Sequence, residues 1–563
     1  MSDKSAAVTP AATADSPKPA QRVRLVDKLL AKLGLRDLSP NDDRSLTPEQ
    51  RALGKKLARN KRVVSKIWEK LWLLRTILTV IGVVWILLLP HPFLWKGVFH
   101  DEHALQPAQV SMYFNWDNVQ KADTYLADLE RLRDDNADWE TIKTHLVSEF
   151  SLAGHESGNT TSAAFARVAP PRSEGTEAIL ISANWLSRDA SAVNVRGVAM
   201  LLSLAEFFRR QTHWAFDIFL VVGDDYLAGL EDFMTSYNPR ANIWTALNLD
   251  YPYHSFSHLG IYYEGVNGRL PNQDVINTAA HVARWSGGAD PALHSLPARP
   301  YVNYLTGLKH LVAHVKFAAL GRPSAAHGVL AKHRIDAITL YGVPAEGPHG
   351  FYTLGRTIES TLRSFNNLLE RLHASFFFYL LPHPDYFLPV GHYLPAAVIL
   401  GASVTIAGFD CPDPLAGVLW AIPAVLAGLV GWAIQNPAIP VALVGGSFVM
   451  PKPKGTARQS LLALAHLFYG ALIPTLAMVN FPQAILLACL VILALSPIFS
   501  IPIPDQKTEV PLGKFALAAL LLWPAVRELK LEWEMFGNLA WPAVFAVLVP
   551  LFTVSWMTPR EWE

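Results

Sequence analysis

The stretch "FLVVGDDYLAGLEDF", residues 219–233, indicates the class of fold. An apolar run from Phe219 to Val222 ends in two adjacent carboxylates, Asp224 and Asp225, and a helix-like pattern follows. Enzymes built on α/β sheets keep metal ligands and general bases at the C-terminal ends of such strands. The stretch therefore predicts either a working metallohydrolase or a protein of that fold without the chemistry.

Further segments on both sides of this stretch alternate between strand and helix patterns. The runs "EAILISANW" (177–185), "TALNLDY" (245–251) and "RIDAITLYGVP" (334–344) are typical of buried strands. The run "NVRGVAMLLSLAEFFRRQ" (194–211) is typical of an amphipathic helix. Strands that alternate with crossover helices predict an α/β domain with a mainly parallel sheet.

The composition indicates that part of the chain lies in lipid. Of 563 residues, 51% are hydrophobic and only 17% are charged, against about one quarter in soluble domains. The mean hydropathy is +0.21 and the net charge is +1. Cys411 and Cys489, the two cysteines, both fall in apolar C-terminal sequence, so the α/β domain is expected to fold without an internal disulfide.

The N-terminal region predicts one membrane crossing. Residues 1–75 form a basic tail and helix, which we interpret as solvated and cytosolic rather than as a nucleic-acid contact. Residues 76–95 supply about 20 apolar residues, enough to span a bilayer. Because the basic flank precedes this span, residues 98–365 are expected on the lumenal side, where the sequon at Asn159 is a candidate glycosylation site.

The C-terminal region, 386–558, is a series of seven apolar blocks. If all seven blocks cross the membrane, the chain has eight spans in total. Both basic loops, 452–458 and 504–514, then face the cytosol together with the short tail 559–563, as the positive-inside preference favours. The acidic 527–538 segment is then a lumenal loop. We therefore predict a polytopic helical bundle with both termini cytosolic. The seven blocks are 387–408, 415–434, 437–450, 459–480, 483–503, 512–525 and 538–557.

Residues 366–385, "NNLLERLHASFFFYLLPHPD", join these two regions. Leu368, Leu372, Phe376 and Tyr379 recur at near-helical spacing, which predicts an amphipathic helix in the membrane interface. A helix that simply joins the lumenal domain to the second span is an equally good interpretation.

In the order of its strands and motifs, the segment 175–345 resembles the di-zinc aminopeptidase family. The resemblance implies that Asp224 and Asp225 match the family's paired glutamates, Asp250 its later Asp ligand and His327 its last His ligand. Where the family has a His-x-Asp ligand motif, this chain has Asn184-Trp185-Leu186. The family's bridging Asp falls at or beside Val193 and Asn194.

These departures remove the two-metal clamp that the resemblance implies. A catalytic zinc needs three protein ligands and an open position, and Asp225, Asp250 and His327 would supply three. We predict no required cofactor, and a single residual metal ion at these residues is the alternative. The competing structural interpretation of Asp224 and Asp225 is a solvated strand end or a helix N-cap, and that of His327 is a helix N-terminal or loop histidine with a backbone partner.

Over nearly its whole length the chain also resembles the GPI-anchor attachment proteins, a subunit family of GPI transamidase. The motifs are "NVRGVAMLLSLAEFFRRQTHWAFDIFLV", "EGVNGRLPNQDVINTA", "GRPSAAHGVLAKHRIDAITLYG" and "FNNLLERLHASFFFYLLP". The resemblance implies residence in the endoplasmic reticulum membrane and partners that include a cysteine-protease-like catalytic subunit, the proprotein substrate and the GPI glycolipid.

We therefore predict a non-catalytic subunit that scaffolds the complex and presents the GPI lipid. In this family the last span is implicated in GPI recognition, which makes Trp541, Pro542 and Pro550 the candidate lipid-binding residues. A membrane-anchored single-metal aminopeptidase or aminoacyl transferase is the alternative. A transporter fits less well because buried charges in the spans are sparse.

Overall fold

The computed structural model describes residues 70–100, 112–189, 192–237, 239–297, 301–367, 378–447, 451–495, 500–502, 508–521, 523–558 and 560–561. The predicted basic tail and helix before residue 70 lie outside these ranges, as does the central part of the predicted interfacial helix, 368–377.

The α/β domain contains a sheet of nine described strands. They are β2 (Glu156–Asn159), β3 (Ala163–Val168), β4 (Glu177–Ser182), β5 (Asp217–Gly223), β6 (Asn242–Asp250), β7 (Phe256–Tyr262), β8 (Asp290–Leu293), β9 (Leu296–Pro297) and β10 (Asp336–Pro344). Their order across the sheet is β2-β3-β5-β4-β6-β10-β7-β8-β9. A smaller sheet, β1-β12-β11, joins β1 (Lys96–Gly97) to β11 (Tyr379–His383) and β12 (Tyr386–Pro389).

Helices cover both faces of the large sheet. The helices of this domain are α2 (Trp116–Asp134), α3 (Trp139–Leu152), α4 (Val195–Arg209), α5 (Ala228–Asp232), α6 (Gln273–Val282), α7 (Tyr304–Ala318), α8 (His327–Lys332) and α9 (Phe351–Asn366). One apolar cluster packs α2, α3, α4, α6 and α9 on one face, and a second packs α5 and α8 on the other. Every residue of β5 is buried, as its unbroken apolar run predicts.

The α/β class is confirmed, but the sheet is mixed rather than mainly parallel. Strands β5, β4, β6 and β10 run parallel, whereas β3 and β7 pair antiparallel with their neighbours β5 and β10. The connection from β6 to β7, residues 251–255, is too short for a crossover helix, so β7 must return in the opposite direction. The C-terminal end of β7 therefore points to the opposite edge of the sheet from Asp250.

Among the described residues, five helices are long and apolar enough to cross a membrane, and Phe481–Leu495 is a shorter apolar helix. This agrees with a polytopic membrane part, and the total of eight spans stays a prediction. The membrane part contains α1 (Leu71–Leu88), α10 (Val390–Ala407), α11 (Pro414–Ile434), α12 (Ala438–Ser447), α13 (Gly455–Ala477), α14 (Phe481–Leu495), α15 (Leu512–Leu520), α17 (Ala540–Ala543) and α18 (Val549–Met557). Strands β13 (Ser500–Pro502), β14 (Thr508–Pro511) and β15 (Arg560–Glu561) pair beside it.

Two sequence predictions are wrong in this region. Residues 527–538 are not a loop, because Trp523–Phe536 form helix α16. The predicted interfacial helix 366–385 does not continue to its C-terminal end, because Tyr379–His383 pair with β12 as strand β11. Prolines at positions 382 and 384 disfavour a helix there, and Tyr379, predicted to face a membrane, is buried.

The membrane bundle docks against the edge of the sheet to which β7 points. Asn267, in the loop after β7, donates to the carbonyl of Gly537 (3.1 Å) and accepts from the amide of Leu539 (2.6 Å). Asn480, between α13 and α14, donates to the carbonyl of Ala318 (2.7 Å).

Candidate functional site

The candidate residues gather at the edge of the sheet where β4, β5 and β6 end. Asn184 follows β4, Asp225 follows β5 and Asp250 ends β6. The side-chain amide of Asn184 donates to the carbonyl of Tyr226 (2.6 Å), which ties the first two strand ends together. The topology therefore brings the predicted positions to one edge, and their partners decide what they can bind.

Asp225 binds backbone amides at the start of a helix. Its Oδ1 accepts from the backbone amides of Leu227 (2.8 Å) and Ala228 (2.5 Å), at the start of α5. A carboxylate at a helix N-terminus satisfies amides that have no partner within the helix. Burial, and secondarily the charge of Asp225, raises the pKa of neighbouring Asp224. This arrangement matches the structural interpretation of the acidic pair.

Asp250 is almost fully buried and is held by protein groups. Ser187 donates its hydroxyl to Oδ1 (2.7 Å), and the backbone amide of Arg188 donates to Oδ2 (3.0 Å). Burial raises the pKa of this carboxyl to about 6, and the two hydrogen bonds oppose that rise. Both carboxyl oxygens thus have partners without a metal ion.

Arg188 places a positive charge close enough to influence Asp250 and His327. The guanidinium carbon of Arg188 lies 3.7 Å from the ring centroid of Tyr262, and its charge acts on both Asp250 and His327. An arginine that stacks on an aromatic ring offsets buried negative charge much as a bound cation would. We interpret Arg188 as the internal counter-charge of Asp250.

His327 is fully buried at the start of α8, and both ring nitrogens are engaged. Nε2 lies 3.0 Å from the carbonyl oxygen of Glu264, which can only accept, so Nε2 carries the proton. Nδ1 lies 3.0 Å from the hydroxyl of Thr339. Burial lowers the pKa of His327 to about 4. The histidine has the backbone partner that the structural interpretation predicts.

The residues at the family's metal positions therefore do not fit zinc ligation as they stand. Both carboxyl oxygens of Asp250 and both ring nitrogens of His327 are engaged by protein groups, and Asp225 uses its Oδ1 to bind backbone amides. Within the described ranges, no group of three or more His, Cys, Asp or Glu side chains is arranged to hold a metal. The contacts of the three residues favour structural roles over metal binding.

Asn194 occupies the position matched to the bridging Asp, and it is a structural residue. Its Nδ2 donates to the carbonyls of Asn184 (3.0 Å) and Leu249 (2.9 Å). Its Oδ1 accepts from the amides of Tyr251 (2.8 Å) and Gly197 (3.2 Å). The side chain thus joins the ends of β4 and β6 to the start of α4. An aspartate at this position could not make the two bonds to carbonyl oxygens, because a carboxylate has no hydrogen to donate.

A buried carboxylate that the sequence did not indicate lies at the opposite edge. Glu264 is fully buried and accepts from His294 Nε2 (2.9 Å) and His314 Nδ1 (2.9 Å). These bonds and the charges of the two rings hold the pKa of Glu264 well below its usual range despite burial. The two histidines are 30 and 50 positions from Glu264. No local spacing predicts such a cluster, although a carboxylate two residues after the apolar strand β7 is a signal that the sequence does contain.

The last helix is interrupted where lipid binding was predicted. A π-helical turn, Val544–Leu548, separates α17, which contains Pro542, from α18, which contains Pro550. Tyr469 donates its hydroxyl to the carbonyl of Val547 (2.9 Å) within the turn. Trp541 is buried with its ring against Phe545 at 4.9 Å. Its role as a lipid contact stays a prediction, as does glycosylation of Asn159, which is exposed at the end of β2.

Together these features define a class: a membrane protein whose α/β domain uses its strand-end polar residues for internal contacts. Residues 160–412 match the family model described as Gaa1-like, GPI transamidase component. The chain is similar to "GPI transamidase component GAA1" of Saccharomyces cerevisiae, with 27% identity over 76% of this chain and 75% of the relative. It is 29% identical to "GPI transamidase component gaa1" of Schizosaccharomyces pombe over 62% of this chain and 65% of that relative. The chain is therefore similar to Gaa1-like proteins, which agrees with the resemblance seen in the sequence.

Two solved enzyme structures are similar to part of the chain. A glutaminyl cyclase of Fimbriiglobus ruber has 14% identity and a TM-score of 0.32 over 45% of this chain and 97% of its own. An aminopeptidase of Aneurinibacillus sp. strain AM-1 has 14% identity and a TM-score of 0.24 over 36% of this chain and 47% of its own.

Acidification is expected to destabilise the protein. Burial lowers the pKa of His327 to about 4 and of His310 to about 3, against about 6.5 when unfolded. Below pH 6.5 the unfolded chain binds more protons, so each histidine removes about 2 kcal/mol of stability between pH 7 and 5. Asp250, with its raised pKa, returns about 1 kcal/mol over the same window.

Thermal unfolding of the full chain in detergent at pH 7 and 5 measures this dependence. The variant His310→Leu removes one titrating group whose two ring nitrogens have no hydrogen-bond partner among the described residues. It is expected to lose less stability on acidification than wild type. An equal loss in both proteins would contradict the assignment of acid sensitivity to His310.

Proposed function

We propose that the chain is a non-catalytic component of GPI transamidase in the endoplasmic reticulum membrane. In this proposal the α/β domain faces the lumen and scaffolds the complex. The membrane bundle binds the GPI lipid and presents its amine to an acyl group formed on a cysteine-protease-like partner subunit. The family match and the names of the two yeast relatives support the component role.

One observation carries the non-catalytic part of the proposal. Asp225, Asp250 and His327, the residues that would ligate a single metal, are already paired with protein groups. A chain without its own chemistry contributes by holding the reactants in place. Fixing a reactant in this way lowers a barrier by about 7–11 kcal/mol in favourable systems. We accordingly propose that the chain requires no metal cofactor.

Asp250→Asn tests the absence of metal-dependent catalysis. The variant keeps the shape of the side chain. Anchor attachment to a reporter, normalised to the amount of chain, is expected to stay within about twofold of wild type, because the normalisation removes the stability cost of leaving Arg188 without its counter-charge. A metal ligand would cost at least about tenfold. Attachment is measured in cells depleted of the endogenous protein.

Ser187→Ala is the matched control because it removes the hydroxyl partner of Asp250 and leaves the carboxyl in place. If Asp250→Asn abolished attachment while Ser187→Ala preserved it, with both chains present in the complex, the non-catalytic proposal would be wrong. A parallel His327→Gln variant, with metal content measured in the purified chain, covers the second predicted ligand.

Lipid presentation is tested at the interrupted last helix. Ala546 lies exposed within the π-helical turn, between Pro542 and Pro550. A photo-crosslinking amino acid at Ala546 is expected to capture a GPI analogue, because a π-helical turn between two prolines interrupts the regular helix where we propose that the lipid binds. The same group at Val80, exposed on α1, is the control and is expected to capture bulk phospholipid only. Equal capture of the GPI analogue at both positions would count against the proposal.

A further inference from the structure

Helix α7 is tied at both ends to membrane-spanning segments. At its start, the hydroxyl of Tyr304 donates to the carbonyl of Leu87, in the last turn of α1 (2.9 Å). At its end, the carbonyl of Ala318 accepts from Asn480, in the connection between α13 and α14 (2.7 Å). A helix of 15 residues is about 22 Å long. Because it runs between the ends of two different spans on the same side, its axis lies along the membrane surface.

The inner face of α7 packs on both parts of the molecule. Leu311 is buried in the apolar cluster of the membrane bundle, together with Trp95. His314 points instead into the α/β domain, where it donates to Glu264. The helix therefore fills the junction between the domain and the bundle.

The outer face is apolar on the side nearest the bundle and cationic beyond it. Successive residues of a helix are about 100° apart around its axis. Around α7 the order of side chains is therefore Leu311, Val315, Val312, Leu305, Lys316 and Lys309. The three apolar side chains are 43%, 58% and 63% exposed. Phe93, just beyond the end of α1, is 86% exposed.

We propose that α7 is a membrane-interface helix whose outer face lies in the headgroup region of the leaflet next to the α/β domain. Leu305, Val312 and Val315 contact the upper acyl chains, and Lys309 and Lys316 contact lipid phosphates. Continuity with the ends of α1 and the α13–α14 connection identifies a phospholipid surface as the occupant. The order of apolar and cationic residues round the helix is that of an interfacial helix, whose lysines extend toward the polar layer.

Spin-label accessibility of the full chain in phosphatidylcholine nanodiscs tests this proposal. Cys411 and Cys489 are replaced by alanine, and single labels are placed at Val312, at Lys309 and, as an exposed control on the α/β domain, at Glu346. Glu346 follows β10 at the sheet edge opposite the bundle. We expect the ratio of oxygen to nickel-chelate accessibility to fall in the order Val312, Lys309, Glu346.

The ratio at Val312 also decides between lipid and protein as the occupant. An equal ratio at Val312 and Glu346 in nanodiscs would overturn the proposal. A label at Val312 that is aqueous in nanodiscs and becomes shielded only when partner subunits are added would also overturn it, in favour of a protein contact. Melting temperatures matched to the cysteine-free parent establish that each labelled chain is folded.

Discussion

Replacing Glu264 with alanine is expected to destabilise the protein by about 3–5 kcal/mol, the range for removing one partner of a buried ion pair. The carboxylate holds His294 and His314 from two distant segments in a fully buried site. The substitution leaves two buried imidazoles without their acceptor and a space between them. For a domain of this size the loss corresponds to about 10 °C in melting temperature.

The same backbone position also supports His327 and the junction with the membrane bundle. The carbonyl of Glu264 accepts from His327, and Asn267, three residues later, contacts the segment before α17. Differential scanning fluorimetry of the full chain in detergent measures the effect. Glu346→Ala is the matched control, since Glu346 is exposed in a loop, and it is expected to change the melting temperature by less than about 2 °C. If both variants melted alike, Glu264 would not be an internal anchor of the domain.

Asn194→Asp is expected to destabilise the protein nearly as much as Glu264→Ala, although it only replaces the side-chain NH2 group with an oxygen. Its side-chain amide donates to the carbonyls of Asn184 and Leu249, and a carboxylate would place negative charge against both oxygens. Leaving a buried charge without a partner costs about 3–5 kcal/mol. Because protonation relieves the repulsion, the deficit is expected to shrink as the pH falls from 7 to 5.

Asn115→Asp provides the control for this chemistry. Asn115 also caps a helix, α2, but it is exposed, and its Oδ1 accepts from the amides of Asp117 and Asn118. Aspartate caps a helix as well as asparagine does, so this variant is expected to stay within about 0.5 kcal/mol of wild type. Should Asn194→Asp instead be tolerated and bind zinc, the position would have kept a ligand role and the structural assignment would be wrong.

Much of the architecture could be predicted from patterns that act over short distances. The apolar run before Asp224 predicts β5, and the long apolar blocks predict membrane helices, because burial and hydrocarbon thickness act on each segment separately. The motifs that resemble known families identified the candidate edge of the sheet. The same local patterns did not predict helix α16, where we expected a loop, or strand β11 (Tyr379–His383), where we expected a helix.

By itself the sequence determined the α/β class, the presence of membrane spans and the loss of the ligand motif at Asn184-Trp185-Leu186. Only the tertiary structure decided the direction of β7, and with it the edge of the sheet that meets the membrane bundle. It alone brought Glu264 to His294 and His314, and Arg188 to Asp250. The physical reason is that a carboxylate or imidazole takes its protonation state and its role from partners tens of residues away, and no local pattern specifies those partners.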